Sequence, residues 1–200
     1  MKEVEIDDRL PWAISWTASE PLERSSHALL HEGRVWLIDP FADEAALRAA
    51  VGLGEMAAVV QLLDRHPRDC EAVAERFSVP HLRLPESLPG SPFEVHRMIW
   101  KPRWRELCLW WEGHRALVVA EAVGASRYTA VGDQPLGVHP FLRMKPPEAL
   151  GRFSPDVLFP GHGPAVQSNA AAALDQALAR ARKDIPRVVP AVLKSGWEKR

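Results

Sequence analysis

Two short apolar runs constrain this chain more than any other feature: Val35-Trp36-Leu37-Ile38 and Ala57-Ala58-Val59-Val60-Gln61-Leu62-Leu63. The first has no polar alternation, which is the pattern of a strand buried on both faces. It stops at Asp39-Pro40, because proline has no N–H to continue a ladder. A helix is expected over 43–51, with Asp43 as its N-cap. After the second run a helix is expected over about 68–77, with Ala72, Val73, Arg76 and Phe77 at helical spacing, and then a short strand over 81–84. This alternation of strand and helix belongs to a layered α/β fold.

Strands are also expected over 12–17 and 26–30, the latter followed by a hairpin turn at Glu32-Gly33-Arg34. The middle of the chain reads as antiparallel strands over 94–100, 106–111 and 115–120, the last two joined by a turn at Glu112-Gly113-His114. Residues 121–145 are irregular, and a loop of that length in a compact domain is often functional. A short helix over 147–152, a strand over 157–159 and a helix over 168–183 follow. Ser168 or Asn169 would cap the last helix, and its basic residues suit the negative end of the helix dipole. Pro186 and Pro190 interrupt what remains. No repeat or linker divides residues 1–200, so one domain is expected, with a C-terminal extension from about 185.

Composition narrows the function classes. The 25 basic and 26 acidic residues leave a net charge of −1, with no basic excess to pair with nucleic acid. Two cysteines, Cys70 and Cys108, form no disulfide framework, so a reducing cytoplasm is the expected location. The opening segment is charged, without a signal-peptide core, and no apolar run approaches the roughly 20 residues that span a bilayer. Eight tryptophans suit either thick packing between layers or the lining of a pocket. The nucleophile-elbow pattern GxSxG, the phosphate loop GxxxxGK[ST] and the dinucleotide pattern GxGxxG are all absent.

Four segments occur in an informative order. Strand 35–38 ends in Asp39. Strand 57–63 runs into Asp64-Arg65-His66-Pro67-Arg68-Asp69. Strand 115–120 ends at Glu121. Pro160-Gly161-His162-Gly163-Pro164 comes last. This set resembles the metallo-β-lactamase superfamily, with its early Asp, its HxHxDH loop, its bridging Asp and its late PGHG segment. The resemblance covers about residues 25–183 and implies a four-layer αββα sandwich, an ancestry in metal-dependent hydrolysis and a dinuclear metal site.

The site itself departs from that pattern. Asp64 stands at the first His position, His66 is kept, Arg68 replaces the Asp, and Asp69 replaces the last His. The segment that would bring a further His reads Lys101-Pro102-Arg103-Trp104-Arg105. Glu121 stands for the bridging Asp, and His162 is kept. The resemblance thus implies a tentative ligand set of Asp64, His66, Asp69, Glu121 and His162 for one divalent Zn, Mn or Fe, and no metal at all is equally compatible. Arginine cannot coordinate a cation. Its guanidinium is expected instead among Asp64, Asp69 and Glu121, in place of the metal. Arg68 and Arg103 are therefore candidates for cleft or ligand binding, and Asp39 for structural support of the ligand loop.

Each residue also has a plainer reading. His66 can hydrogen-bond a backbone group at the start of its helix, and His162 can be part of a Gly/Pro turn. Asp64 and Asp69 can cap or flank a helix N-terminus. The Trp100–Arg105 stretch can be a solvated loop edge or an anion-binding one. Two functions remain open. One is residual mononuclear hydrolysis of a small ester, thioester or phosphoester. The other is an inactive descendant that binds a small anionic ligand or a protein partner in the former cleft. A homo-oligomer is compatible with either.

Overall fold

The structure, a computed structural model, describes residues 3–65 and 68–188. The first sheet has six strands in sequence order: β1 (Val4–Leu10), β2 (Ala13–Ala18), β3 (Ser25–His31), β4 (Arg34–Ile38), β5 (Glu55–Gln61) and β6 (His81–Arg83). β1 to β4 are antiparallel; β4, β5 and β6 are parallel. The parallel connections are helices α1 (Glu44–Leu53) and α2 (Cys70–Phe77). The second sheet takes β7 (Glu94–Lys101), β8 (Trp104–Trp111), β9 (Ala116–Val119) and β12 (Val157–Pro160) in the order β12-β9-β8-β7. Between β9 and β12 lies a small antiparallel pair, β10 (Val123–Gly124) and β11 (Gly137–Val138). Helix α3 (Ala170–Arg180) follows β12.

The period of two in β4 and β5 sets the layers. Val35, Leu37 and Val59 join Ala46, Leu47 and Ala50 of α1 and Val73 and Ala74 of α2 in one apolar cluster. Trp36, Ile38, Ala58 and Val60 point the other way, into a cluster with Leu107, Leu109, Leu117 and Phe159 of the second sheet. Ala173, Leu174 and Ala177 of α3 extend that cluster. A continuous apolar strand was expected to be buried on both faces, and Val35 to Ile38 are all buried. The architecture is the layered α/β sandwich expected from the sequence.

The details differ in four places. β1 was not anticipated. Its Val4, Ile6 and Leu10 alternate with charged residues, which suits an edge strand, and the charges hid the period. The β7–β8 hairpin is tighter than expected, with Lys101 paired to Trp104 and Arg103 in the turn at φ 68°. The segment 112–114 is a single 3-10 turn. Helix α3 begins after Asn169, but that side chain makes no capping bond. The extension expected from about 185 lies mostly outside the described residues. Among the described residues, no helix is long and apolar enough to cross a membrane.

Five tryptophans serve packing. Trp16, Trp36, Trp104, Trp110 and Trp111 are buried. Trp12 is partly buried, and Trp100 is 47% exposed on β7. One buried polar bridge also joins the sheets. The Nε2 of His27 donates to the Pro160 carbonyl at 2.9 Å, and its Nδ1 therefore accepts from Ser15 Oγ at 2.8 Å. Burial holds this imidazole neutral, its pKa pushed down to about 3.

Candidate functional site

The carboxyl ends of β4, β5, β9 and β12 meet at one edge of the sandwich, and the four segments singled out in the sequence lie there. Asp39 follows β4 in a left-handed conformation, φ 43°. Its Oδ1 accepts from the Leu62 N–H at 3.0 Å, so it braces the start of the loop after β5. Burial raises its pKa to about 6, against the pull of the Arg68 cation.

The late Gly/His segment is needed for close approach. A Cβ on Gly161 would lie 2.3 Å from the Ala120 carbonyl oxygen, and one on Gly163 would lie 2.3 Å from the Ser126 nitrogen. Gly163 also has φ +85°, which favours glycine. These two glycines let the end of β12 press against the chain after β9. That contact carries His162 to Glu121: His162 Nε2 lies 3.6 Å from Glu121 Oε1, while its Nδ1 bonds the Leu22 carbonyl at 2.8 Å.

Glu121 is 5% exposed. Its other oxygen accepts from Arg65 at 2.5 Å. The Arg65 guanidinium lies 3.7 Å from the centroid of the Trp104 ring, a cation–π contact at the β7–β8 turn. Beneath them sits Glu106, fully buried. Its Oε1 accepts from the N–H groups of Glu121 and Ala122, each at 2.8 Å, and its Oε2 from Trp104 Nε1 at 2.9 Å. One hidden carboxyl thus positions both the backbone of Glu121 and the ring under Arg65. Burial raises the Glu106 pKa to about 7, despite those three N–H donors, and the nearby Glu121 charge adds to the rise.

Arg68 requires a correction. It was expected among the carboxylates of Asp64, Asp69 and Glu121. It does turn inward, but its partners are main-chain oxygens. Its guanidinium donates to the carbonyls of Ser25, Asp39 (2.9 Å) and Gly161 (2.7 Å), and to Ser26 Oγ (3.3 Å). These belong to the start of β3, the end of β4 and the end of β12, so one side chain ties the two sheets together. The residue itself is left-handed, φ 51°, which turns its side chain into this clamp. Carbonyl oxygens at the ends of β3, β4 and β12 converge there; that of Gly161 also accepts from the Ser25 N–H and that of Asp39 from Ser26 Oγ, and a rigid five-donor fork reaches all of them together.

The two remaining carboxylates of the expected set point elsewhere. Asp69 precedes α2 but does not cap it; its Oδ2 accepts from the Ala42 N–H at 2.8 Å. Asp64 is held by its backbone, with its N–H on the Arg105 carbonyl and its own carbonyl on Arg83. Its Oδ1 is buried without a hydrogen-bond partner, and the residue lines a side cavity. Arg103 is exposed in its turn. His66 lies outside the described residues. Among the described residues no group of three or more His, Cys, Asp or Glu is placed to hold a metal ion.

The described residues of the expected ligand set are not gathered into one group. Two carboxylates face away, one is held by a guanidinium, and two arginines occupy the loop that would supply ligands. The sequence reading overlooked Arg65 and Glu106. Arg65 falls on a spacer position of the resembling motif, so only its partner 56 residues away reveals its role. Glu106 did carry a signal: a lone acid among apolar strand residues needs dedicated donors.

No protein-family model matches the sequence, and no curated relative does. Solved structures do match. The DIM-1 metallo-β-lactamase exposed to ceftazidime superposes with a TM-score of 0.61 at 14% identity, over 90% of this chain and 97% of that one. A metallo-β-lactamase from Pontibacter korlensis gives 0.63 at 11% identity, over 90% and 99%. A flavo di-iron protein from Thermotoga maritima gives 0.64 at 10% identity, over 90% of this chain and 63% of that one. This chain therefore has the metallo-β-lactamase fold, as its four ordered segments implied.

Proposed function

We propose that this metallo-β-lactamase-fold protein has exchanged its dinuclear metal site for a guanidinium-based one, and that its cleft binds a small anionic ligand rather than hydrolysing a substrate. The observation that supports this best is Arg65, which sits on Trp104 and pairs with Glu121 at 2.5 Å, where the resembling family places a bridging carboxylate between metals. A carboxylate neutralised by a fixed cation has little left to offer a metal. Arg65 is 31% exposed, so a ligand carboxylate or phosphate can share its remaining donors. His162 adds a second ring nitrogen at the same spot.

A single divalent Zn, Mn or Fe is the second reading, and one observation favours it. His162 Nδ1 bonds a carbonyl while Nε2 faces a carboxylate oxygen at 3.6 Å, an arrangement that suits a metal ligand oriented by its outer partner. His66 would complete the donor set, and a small ester, thioester or phosphoester would be the substrate class.

Thermal unfolding with and without simple anions separates the readings. Under the first, millimolar phosphate or acetate raises the melting temperature of the untreated protein by more than that of Arg65→Met. Under the second, chelator lowers the melting temperature and zinc or manganese restores it. Anion stabilisation that persists unchanged in Arg65→Met would overturn the first.

A further inference from the structure

A second concave site lies away from the Arg65–Glu121–His162 cluster, between the last strand of each sheet. Here β6 and β7, the free edges of the two sheets, flank a cavity of 640 Å³. That volume is within the range of small-ligand sites. Its apolar floor includes Leu107, and its walls carry three guanidiniums, from Arg83, Arg97 and Arg105.

The arginines are unusually organised for a surface. Arg97 and Arg105 both lie against the Trp100 ring, at 4.6 and 5.5 Å from its centroid. Trp100 is half exposed and makes a cation–π contact with each of the two arginines. Arg97 reaches Glu86 at 2.9 Å, but Glu86 is 87% exposed, so that pair is readily exchanged for a better anion. Arg105 has the ring contact and, among the described residues, no ion pair. Arg83 spends one donor on the Asp64 carbonyl at 2.9 Å. The wall therefore offers many fork-shaped donors that suit phosphate.

Asp64 supplies the independent observation. Asp64 lines this cavity, and its Oδ1 is shielded from solvent and has no donor. A shielded carboxylate oxygen without a donor is costly unless something else fills the place. A hydroxyl group of a ligand would do so. The geometry points to a binding site for a hydroxyl-bearing phosphomonoester, its phosphate on Arg97 and Arg105 and a hydroxyl donating to Asp64.

This site is independent of the cleft reading, and calorimetry on the full chain separates them. Ribose 5-phosphate, inorganic phosphate and ribose are titrated into the wild type, Arg97→Ala, Arg105→Ala, Asp64→Asn and Arg65→Met. Ribose 5-phosphate is expected to bind at least about tenfold more tightly than inorganic phosphate, and ribose not at all up to about 10 mM. Arg97→Ala and Arg105→Ala, both exposed positions that should fold normally, each weaken ribose 5-phosphate by about tenfold or more. Asp64→Asn removes the preference over inorganic phosphate and keeps phosphate binding. Arg65→Met leaves the ribose 5-phosphate affinity of this site unchanged. The inference is overturned if no phosphorylated probe binds by about 10 mM, if Arg97→Ala and Arg105→Ala bind as the wild type does, or if Arg65→Met alone abolishes binding, which would place the ligand in the cleft.

Discussion

Arg65 and Arg68 are three residues apart on one loop, yet they do different work. Arg68 sits on the floor of the cleft, and its partners are carbonyls of three different segments. Arg65 sits at the mouth, between one carboxylate and one aromatic face. Floor contacts fix the backbone and cannot be exchanged without loosening the fold. Mouth contacts involve side chains and remain open to competition. On the proposed reading, the two guanidiniums divide between them the cross-linking and the charge that a metal would supply.

The largest test of this division is Arg68→Met. It removes the guanidinium bonds to three carbonyls, two of which keep one other donor, and a link between the sheets, so a loss of about 2–4 kcal/mol is expected in urea unfolding. Arg68→Lys should recover only part, because an ammonium lacks the planar fork. A loss below about 1 kcal/mol would show that Arg68 does not cross-link the floor.

Glu106→Gln comes next, since Glu106 supports the mouth from beneath. It should cost about 1–3 kcal/mol at pH 5, because an amide cannot accept from all three N–H donors. The pH dependence has a definite sign. The folded pKa of about 7 lies above the ordinary 4.5, so the folded state keeps a proton that the unfolded chain releases. Wild-type stability from this group therefore falls as pH rises from 4.5 to 7. The deficit of Glu106→Gln should shrink over that window, and a deficit that grows with pH would contradict this account.

Arg65→Met should be milder in stability, about 1–2 kcal/mol, since one partner is buried and the other half-open. Its distinctive effect is on the cleft: with Glu121 released, zinc uptake should rise above that of the wild type. Unchanged uptake would mean that Arg65 does not compete for the metal position. Asp69→Ala should be smallest, about 0.5–1 kcal/mol, for one exposed bond to Ala42. A loss of metal or ligand binding in Asp69→Ala would return Asp69 to the site.

The fold was far more legible in the sequence than the site. Runs 35–38 and 57–63 announce strands because burial on both faces leaves no room for polar alternation. Gly161 and Gly163 mark a close backbone approach that any side chain would block. The site depends instead on distant partners. Whether Arg68 meets a carboxylate or a carbonyl is decided by how β3, β4 and β12 end, which no local pattern encodes. Asp64 illustrates the same limit: its position matches a ligand, but its backbone bonds to Arg105 and Arg83 turn the carboxyl toward the sheet edge. Arg65 was hidden because its ring and its carboxylate come from other parts of the chain.

The most direct measurement is metal per chain, by elemental analysis of protein purified without an affinity tag, incubated with zinc, manganese or iron and then desalted. Guanidiniums in the metal's place predict less than about a tenth of an equivalent of any of them. Close to one equivalent, lost on His162→Ala, would contradict the account.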